Sequence, residues 1–289
     1  MRVLLLTDTH GRIDEINAFS AEYKAQACIH CGDIGLFDSR SIRKMPSEEL
    51  KKIIRHAAVS ADEKVRVCAL PQAEMAEFLL KNNLAGTFED YLSGRKKFEV
   101  PTFAVWGNHE DISIVEQLRK KPLKNFTFLD ENNSVLLENV RFYGVGGDFH
   151  EKHLPMSGKT GIPWVKNQIK SAFWQYRKLV NMLDQYPMDE TRVQITHCDP
   201  AEVPFLPALA YRCGAVLSCS GHMHRKEILQ WQSRGTAEEA FADYIQKYPG
   251  LAWQEMIKSS QIKTVRHLNL PCSVPLVLEI VGSEIRVLN

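Results

Sequence analysis

The sequence lacks long apolar runs, an excess of charge of one sign and a regular set of cysteines. No apolar run is long enough to span a membrane. The 36 basic and 35 acidic side chains leave a net charge of +1, so no strong field attracts nucleic acid or an anionic membrane, and any basic patch must be local. The seven cysteines are scattered and odd in number, which argues against a disulfide framework and for a reducing compartment. We therefore expect a cytoplasmic protein without a membrane span.

Internal repeats and low-complexity segments are also missing, which argues against a repeat architecture. The composition that remains is that of an ordinary globular protein, with 44% hydrophobic and 25% charged residues. Residues 1–7 are too short for the apolar core of a signal peptide and lead directly into polar residues. We predict that they form the first strand.

Short apolar segments alternate with helical patterns along most of the chain. Strands are predicted at 3–7, 27–30, 103–106, 140–145, 193–196 and 215–220, and helices at 14–25, 47–56, 72–82 and 165–185. This alternation is typical of an α/β sheet covered by helices. Three segments in the tail, at 264–270, 276–281 and 284–288, have the pattern of antiparallel strands with a hairpin. Together with a sheet that begins at residue 1, they predict two packed sheets.

Two segments interrupt this pattern and are predicted to be helical insertions into a single domain of residues 1–289. They lie at about 36–98 and 232–262. The first contains Arg95-Lys96-Lys97, a small basic cluster. This cluster either contacts a polyanionic substrate or is a solvated run of charge, and the sequence leaves both interpretations open.

Each predicted strand ends in a polar cluster, of which Gly107-Asn108-His109-Glu110 is typical. The carboxyl ends of strands are where ligands bind in open α/β sheets, although Asn108 could also cap a helix. The other strand ends carry carboxylates and imidazoles, and the whole set consists of Asp8, His10, Asp33, Asn108, His197, His222 and His224. Such groups suit Mn²⁺, Fe or Zn²⁺.

Seven protein ligands exceed what one metal ion needs, but two ions about 3.5–4 Å apart can use them all if one carboxylate bridges the pair. Two such ions lower the pKa of a bound water and neutralise the charge on phosphoryl oxygens. The set therefore favours hydrolysis of phosphate esters over peptide or amide chemistry.

The polar clusters, taken in order, resemble the signature of the calcineurin-like metallophosphoesterases. They span residues 8 to 224 and read Asp8-Thr-His10, Gly32-Asp33, Gly107-Asn-His-Glu110, Thr196-His197 and Gly221-His-Met-His224. The resemblance implies an α/β fold, a two-sheet αββα sandwich, with a dinuclear metal centre at the strand ends.

The resemblance also implies a role for each residue of the set. Asp8, His10 and His224 would bind the first metal ion, Asn108, His197 and His222 would bind the second, and Asp33 would bridge the two ions. His109 would not bind a metal. It would contact the phosphate and donate a proton to the leaving group.

A narrower similarity involves the catalytic domain of RNA lariat debranching enzymes, which hydrolyse 2′–5′ phosphodiesters. Residues 86–97 and 140–147 are similar to segments of those enzymes, as is the placement of a long helix before Thr196-His197. The sequence departs from them at Asp8, where they typically carry Cys. Asp8 completes the ordinary dinuclear ligand set.

The sequence therefore predicts a metal-dependent phosphoric ester hydrolase with a preference for phosphodiesters of nucleic-acid type. A phosphomonoesterase acting on a nucleotide or a phosphoprotein is the alternative, and a protein-binding scaffold with this fold is disfavoured by the complete ligand set. We expect two divalent metal ions, with Mn²⁺ ahead of Fe and Zn²⁺, and a phosphoester substrate that could be a nucleic acid.

Other polar residues near the strand ends are predicted to play supporting roles. Glu110 and Asp148 are expected to accept hydrogen bonds that orient ligand histidines. His30 is expected to be a core or supporting histidine, and Cys28 and Cys31 are expected to be core thiols.

Overall fold

The computed structural model describes residues 1–147, 173–187, 189–200, 205–225, 227–234 and 264–288. Within these ranges the strands are β1 (Arg2–Leu6), β2 (Ala27–His30), β3 (Thr102–Ala104), β4 (Phe126–Phe128), β5 (Val135–Leu137), β6 (Val140–Val145), β7 (Thr191–Thr196), β8 (Ala215–Ser220), β9 (Leu229–Arg234), β10 (Thr264–Asn269), β11 (Leu276–Val281) and β12 (Glu284–Leu288). The helices are α1 (Asp14–Glu22), α2 (Ser39–Lys44), α3 (Ser47–His56), α4 (Ala61–Cys68), α5 (Gln72–Lys81), α6 (Phe88–Leu92), α7 (Ile112–Lys120), α8 (Phe173–Leu183) and α9 (Phe205–Arg212). No helix in this part of the chain is both long and apolar enough to cross a membrane.

The strands form two mixed sheets of six strands each. The first sheet has the order β12-β11-β1-β2-β3-β4 and the second has the order β5-β6-β7-β8-β10-β9. In the first sheet β1 to β4 are parallel, and β11 and β12 add an antiparallel edge. In the second sheet β6, β7, β8 and β10 are parallel between the antiparallel edges β5 and β9. Parallel pairing places the carboxyl ends of these strands on the same edge of each sheet.

The two sheets pack face to face through alternate residues of their strands. Val3 and Leu5 of β1 are buried against residues such as Val193 and Ile195 of β7. Leu4 lies on the opposite face of β1 and is also buried. Burial on both faces explains why β1 is a continuous apolar run rather than an alternating one.

Helices cover the outer faces of both sheets. In the first sheet Leu4 and Leu6 pack in one apolar cluster with Ile16 of α1 and with Ile114 and Leu118 of α7. In the second sheet, α8 and α9 take the corresponding position, with Leu179, Leu183 and Leu209 in one cluster with Tyr143. The layers are therefore α, β, β, α, and the predicted fold class is confirmed.

Helices α2 to α6 lie between β2 and β3 in the chain, within the insertion predicted at 36–98. Much of this segment has an apolar cluster of its own, which includes Ile42, Leu50, Ile54, Met75 and Leu79. The insertion therefore folds around its own centre and meets the sheets at the edge where β2 and β3 end.

Several sequence predictions require correction. Strand β10 does not form an antiparallel unit with β11, because it pairs in parallel with β8 in the second sheet while β11 pairs with β1 in the first. The chain crosses from one sheet to the other between residues 269 and 276. Residues 232–234, assigned to the second insertion, belong to β9, and residues 235–262 lie outside the described residues. Of the helix predicted at 165–185, residues 173–185 are described, and the helix covers Phe173–Leu183 and ends two residues earlier than predicted.

Several elements of the structure were not predicted from the sequence: the strands β4, β5 and β9 and the helices α7 and α9. The helices α2, α4 and α6 lie within the predicted helical insertion, which was given no individual bounds for them. The hairpin between β5 and β6 shows why β5 was missed. Its turn contains Glu138 at φ 53°, a left-handed conformation that Asn-Gly or Asp-Gly ordinarily signals. The sequence Glu138-Asn139 carries no such signal.

Candidate metal centre

The polar clusters that follow β1, β2 and β3 in the first sheet meet those that follow β7 and β8 in the second. Asp8 and His10 follow β1, and Asp33 follows β2. The two loops are hydrogen-bonded to each other, since the amide of Asp8 donates to the carbonyl of Gly32 at 3.0 Å and that of His10 donates to the carbonyl of Asp33 at 2.9 Å.

The backbone of these loops is strained. Five of the seven predicted ligands have φ between 46° and 70°, namely Asp8, His10, Asp33, His222 and His224. Non-glycine residues in this region cost about 1–3 kcal/mol each, and such strain is concentrated at functional sites. The strained backbone therefore lowers the stability of the fold but positions the side chains of these five residues.

One group of side chains surrounds Asp8. Ligand atoms of Asp8, His10, Asp33 and His224 all lie within 4.8 Å of one another. Asp8 Oδ1 is 3.2 Å from His224 Nε2 and 3.7 Å from His10 Nε2. Three of these four residues are almost completely buried, and His224 is half-buried.

A second group surrounds His197 Nε2. This atom is 2.9 Å from Asn108 Oδ1, 3.2 Å from His222 Nδ1 and 3.4 Å from Asp33 Oδ2. His197 Nδ1 donates to the carbonyl of Cys31 at 3.0 Å, which directs Nε2 toward the other three side chains. Asp33 belongs to both groups and lies between them.

The remaining carboxylate oxygens are held by hydrogen bonds from two backbone amides and one hydroxyl. Asp8 Oδ2 accepts hydrogen bonds from the Thr7 hydroxyl at 2.6 Å and the amide of His222 at 3.1 Å. Asp33 Oδ1 accepts one from the amide of His109 at 2.9 Å. Because these carboxylates lie so close to the backbone, a Cβ at Gly107 would overlap Asp33 and a Cβ at Gly221 would overlap Thr7 and Asp8. This explains the glycine before Asn108 and the glycine before His222.

The histidines keep the two carboxylates ionised. Burial alone would raise the pKa of Asp33, but His197 and His109 hold it well below its usual value. The pKa of Asp8 is lowered in the same way, chiefly by His224 and His197. Burial in turn lowers the pKa of His10 to about 3. For His197 the carboxylates Asp33 and Asp8 outweigh burial and raise the pKa to about 9.

The residues of both groups fit metal ions. Asp8 Oδ1, Asp33 Oδ2 and His10 Nε2 are buried, and although their nearest polar partners lie 3.2–3.7 Å away, none of the three makes a hydrogen bond of good geometry within the described part of the chain. Buried polar atoms without partners are costly, and cations between the groups would satisfy them. Two carboxylates, an amide and four imidazoles are ligands suited to Mn²⁺, Fe and Zn²⁺.

His109 lies beside these groups but faces a different partner. Its Nδ1 is 2.7 Å from Glu49 Oε2 on α3, and Lys52 Nζ is 2.9 Å from Glu49 Oε1. Burial lowers the pKa of His109, but Asp33 and Glu49 outweigh this effect, so the pKa is raised overall. Burial by itself would raise the pKa of Glu49. The hydrogen bond and the charge of His109 outweigh this effect and lower the Glu49 pKa to about 2.

A pocket opens next to His109. His10, Asn108 and His109 line one side of it. The insertion supplies the other side through Phe37, Met45, Glu49, Lys52 and Ile53. The pocket is thus bounded by the strand-end residues and by α3 together.

Three residues near the centre were missed by the sequence analysis: Glu49, His56 and Cys272. Glu49 and His56 are seven residues apart on α3 and therefore share one helix face, which is the signal that could have identified them. The His56 ring stacks on that of His10 at 4.5 Å. Cys272 lies on the crossover between β10 and β11, and no local pattern marks it.

Glu110 does not orient a ligand histidine, contrary to the sequence prediction. It accepts hydrogen bonds from the amides of Ile34, Gly35 and Leu36, at 2.7, 3.1 and 2.7 Å. A buried carboxylate between these amides holds the loop that carries Asp33. Asp148, which was given the same role, lies outside the described residues.

His30 is buried, with its Nε2 3.1 Å from the Thr9 hydroxyl, and Cys28 and Cys31 are buried free thiols. All three belong to the core, as expected.

The basic cluster in the first insertion is paired with acidic residues. Arg95 is 2.6 Å from Asp90, Lys96 is 2.6 Å from Asp14 and Lys97 is 3.8 Å from Glu99. These pairs favour the interpretation of the cluster as a solvated run of charge.

Comparisons with solved structures found distant similarities. A hypothetical protein from Thermus thermophilus is 12% identical with a TM-score of 0.41, covering 99% of this chain and 96% of that one. GAP50, the anchor in the inner membrane complex of Plasmodium, is 8% identical with a TM-score of 0.42, covering 94% and 71%. A protein serine/threonine phosphatase from Saccharomyces cerevisiae is 11% identical with a TM-score of 0.27, covering 79% and 63%.

No curated protein matched the chain. Each structural score above lies below 0.5, so family membership rests on the sequence match. Residues 1–226 match the calcineurin-like phosphoesterases, and this range contains all seven predicted ligands and His109. The chain belongs to the calcineurin-like phosphoesterase family, whose members are hydrolases acting on phosphoric esters.

Proposed function

We propose that this chain hydrolyses phosphodiesters of nucleic-acid type with two divalent metal ions, preferentially Mn²⁺. Asp8, His10 and His224 bind one ion, and Asn108, His197 and His222 bind the other. Asp33 binds both ions.

One observation carries the proposal. Ligand atoms from five strand ends converge in two groups that share Asp33, and three of these atoms are buried without a hydrogen bond among the described residues. Protein side chains alone would not favour this arrangement, because it brings two ionised carboxylates into a buried region. Divalent cations would compensate both charges.

Metal ions bound there supply a nucleophile at neutral pH and neutralise charge on the phosphoryl oxygens. The chain itself supplies the proton for the leaving group. Since His109 Nδ1 is engaged by Glu49, the proton that His109 can donate to substrate is on Nε2. Glu49 fixes the ring orientation and stabilises the charged imidazole.

The lining of the pocket favours a diester over a monoester. A phosphate monoester carries two negative charges near neutral pH, and proteins commonly bind such groups through bidentate arginines. None of the described residues that line this pocket is an arginine, and its lysine, Lys52, is paired with Glu49. Such a lining suits the single charge of a diester.

We further propose that the insertion at 36–98 is part of a single domain and covers the substrate, because its helix α3 forms a wall of the pocket. The seven cysteines are free thiols, which supports a reducing, cytoplasmic location.

A substrate panel tests the proposal. The metal-free chain is loaded with Mn²⁺ or with Zn²⁺ and assayed on bis-p-nitrophenyl phosphate, p-nitrophenyl phosphate, branched RNA, single-stranded DNA and a phosphopeptide. We expect kcat/KM to be higher on the diesters, with Mn²⁺ as the better metal. A preference for p-nitrophenyl phosphate or the phosphopeptide would assign a phosphomonoesterase instead, and no turnover of any ester would favour a scaffold.

A further inference from the structure

A second set of ligand atoms lies against the first. His10, His56, His224 and Cys272 each offer one atom, and these four atoms lie within 4.8 Å of one another. His10 and His224 are shared with the group around Asp8, whereas the sequence signature does not include His56 and Cys272.

Three parts of the fold build this set. His56 is the last residue of α3, and its ring centroid lies 4.5 Å from that of His10 and 4.7 Å from that of His224. Cys272 lies on the segment that connects β10 in the second sheet to β11 in the first. Its Sγ lies 3.9 Å from His56 Nδ1 and 3.1 Å from the carbonyl oxygen of Asp8.

An unsatisfied buried atom points to a ligand at this place. His10 is 6% exposed, and its Nε2 has no hydrogen bond within the described residues. Besides Asp8 Oδ1, which lies 3.7 Å away, this set offers the imidazoles of His56 and His224 and the thiol of Cys272. The local chemistry is therefore softer than that around Asp8 and Asp33.

We propose that His10, His56, His224 and Cys272 form a second metal site, selective for a thiophilic divalent ion such as Zn²⁺, that competes with the catalytic centre for two ligands. This inference rests on the proposed function in one respect, namely that His10 and His224 belong to both metal sites.

The two ligand sets differ in the ions that they prefer. Three imidazoles and one thiolate match the four-coordinate Cys and His sites of Zn²⁺, whereas the two carboxylates around Asp8 and Asp33 suit Mn²⁺. Binding of Zn²⁺ replaces the S–H bond of Cys272 with a Zn–S bond and releases the proton to solvent. Because His10 and His224 cannot serve both sets at once, Zn²⁺ in this site displaces the Mn²⁺ that they hold.

Cobalt spectroscopy tests the site without relying on turnover. Co²⁺ is titrated into three metal-free proteins: wild type, Cys272→Ser and Cys68→Ser. The last is the control, since Cys68 is a half-buried thiol on α4. We expect a thiolate-to-cobalt charge-transfer band in the near ultraviolet for wild type and Cys68→Ser, and none for Cys272→Ser. Zn²⁺ should then abolish the band by replacing Co²⁺.

A second measurement follows Mn²⁺ release. Zn²⁺ is added to Mn²⁺-loaded protein, and free Mn²⁺ is measured by electron paramagnetic resonance. In Cys272→Ser and in His56→Gln, the Zn²⁺ concentration that releases half of the Mn²⁺ should rise by at least about 10-fold, as is typical when a metal ligand or its supporting group is lost. The His56 variant keeps the test valid if Cys272→Ser does not fold.

The outcomes separate this proposal from the proposed function. A wild type without the band, or a Cys272→Ser variant that retains it, overturns the second site whatever the activity. The wild type could hydrolyse no ester when loaded with Mn²⁺ and still show, when titrated with Co²⁺, a band that Cys272→Ser lacks. That result overturns the proposed function and supports the second site.

Discussion

Asn108 and His109 are neighbours in the chain, but their side chains contact different partners. Asn108 Oδ1 lies 2.9 Å from His197 Nε2 in the proposed metal centre, whereas His109 Nδ1 bonds to Glu49. Substitution of the two residues should therefore have effects of different kinds.

We predict that Asn108→Ala lowers metal content and damages turnover of every substrate, whereas His109→Ala retains both metal ions. When the leaving group is a sugar alkoxide, kcat of His109→Ala should fall by roughly 10²–10⁴-fold, which is the usual contribution of general acid catalysis. The fall should be smaller for a nitrophenolate, which leaves without a proton. The comparison requires kcat on both kinds of ester and the metal content of each variant. Loss of a metal ion from His109→Ala would contradict the assignment.

Glu49 and Glu48 are adjacent on α3 but differ in environment. Glu49 is largely buried against His109, whereas Glu48 is exposed and pairs with Lys51 at 2.9 Å. We predict that Glu49→Gln lowers kcat on an alkoxide-leaving ester by about 10- to 100-fold, part of the contribution of the general acid, and changes KM little.

Glu48→Gln is the matched control, since it removes an equivalent charge and an equivalent lysine pair from the same helix turn. Its kcat should equal that of wild type. Equal losses in Glu49→Gln on alkoxide and nitrophenolate esters would show that Glu49 acts on the fold and not through His109.

Helix α3 has two functions, because its faces contact different parts of the molecule. Leu50 and Ile54 are buried in the apolar cluster of the insertion, while Glu49 and His56 face the pocket or the metal centre. The insertion cluster therefore determines where the pocket wall lies.

We predict that Leu50→Ala lowers the free energy of unfolding by about 2–5 kcal/mol, as expected for a buried leucine. Val65→Ala is the control, because Val65 lies in the same insertion but is 75% exposed, and its effect should stay within about 0.5 kcal/mol. Denaturant unfolding of both variants measures the difference. A negligible effect of Leu50→Ala would mean that the insertion does not depend on this cluster.

At the scale of the whole molecule, the proposed centre joins the two sheets. Asp8, Asp33 and Asn108 follow strands of the first sheet, and His197 and His222 follow strands of the second. Ions bound to both sets would hold the sheets together at this edge, so binding should be linked to global stability.

We predict that Mn²⁺ at about 100 times its dissociation constant stabilises the wild type by about 2.7 kcal/mol per site. Asp33→Asn should lose most of this effect, together with metal content and activity, because it removes the charge shared by both groups. Thermal unfolding with and without Mn²⁺ provides the measurement. Full occupancy by two ions and wild-type turnover in Asp33→Asn would show that the bridge is misassigned.

Local patterns in the sequence predicted two packed sheets of α/β type and the positions of the candidate ligands, and the resemblance to the phosphoesterase family implied the αββα sandwich. β1, β2, β6, β7 and β8 are largely buried segments of four to six residues. Most of them are rich in apolar side chains, β7 alternates polar and apolar ones, and a polar cluster follows each at its carboxyl end. The strands β4 and β5 carry weaker patterns because each has only three residues, and the edge strand β9 does so because most of its residues are polar. Pairing of β10 with β8 was also missed, because local periodicity does not determine which sheet a strand joins.

The sequence by itself determined the fold class and the ligand candidates, because both depend on residues close together in the chain: strand periodicity, and a polar cluster within a few residues of each strand. Only the tertiary structure decided which residues complete the site. His109 meets Glu49 across 60 positions, and Cys272 approaches His56 across 216. These contacts depend on how the insertion packs and where the chain crosses between sheets, and such long-range packing leaves no local pattern in the sequence.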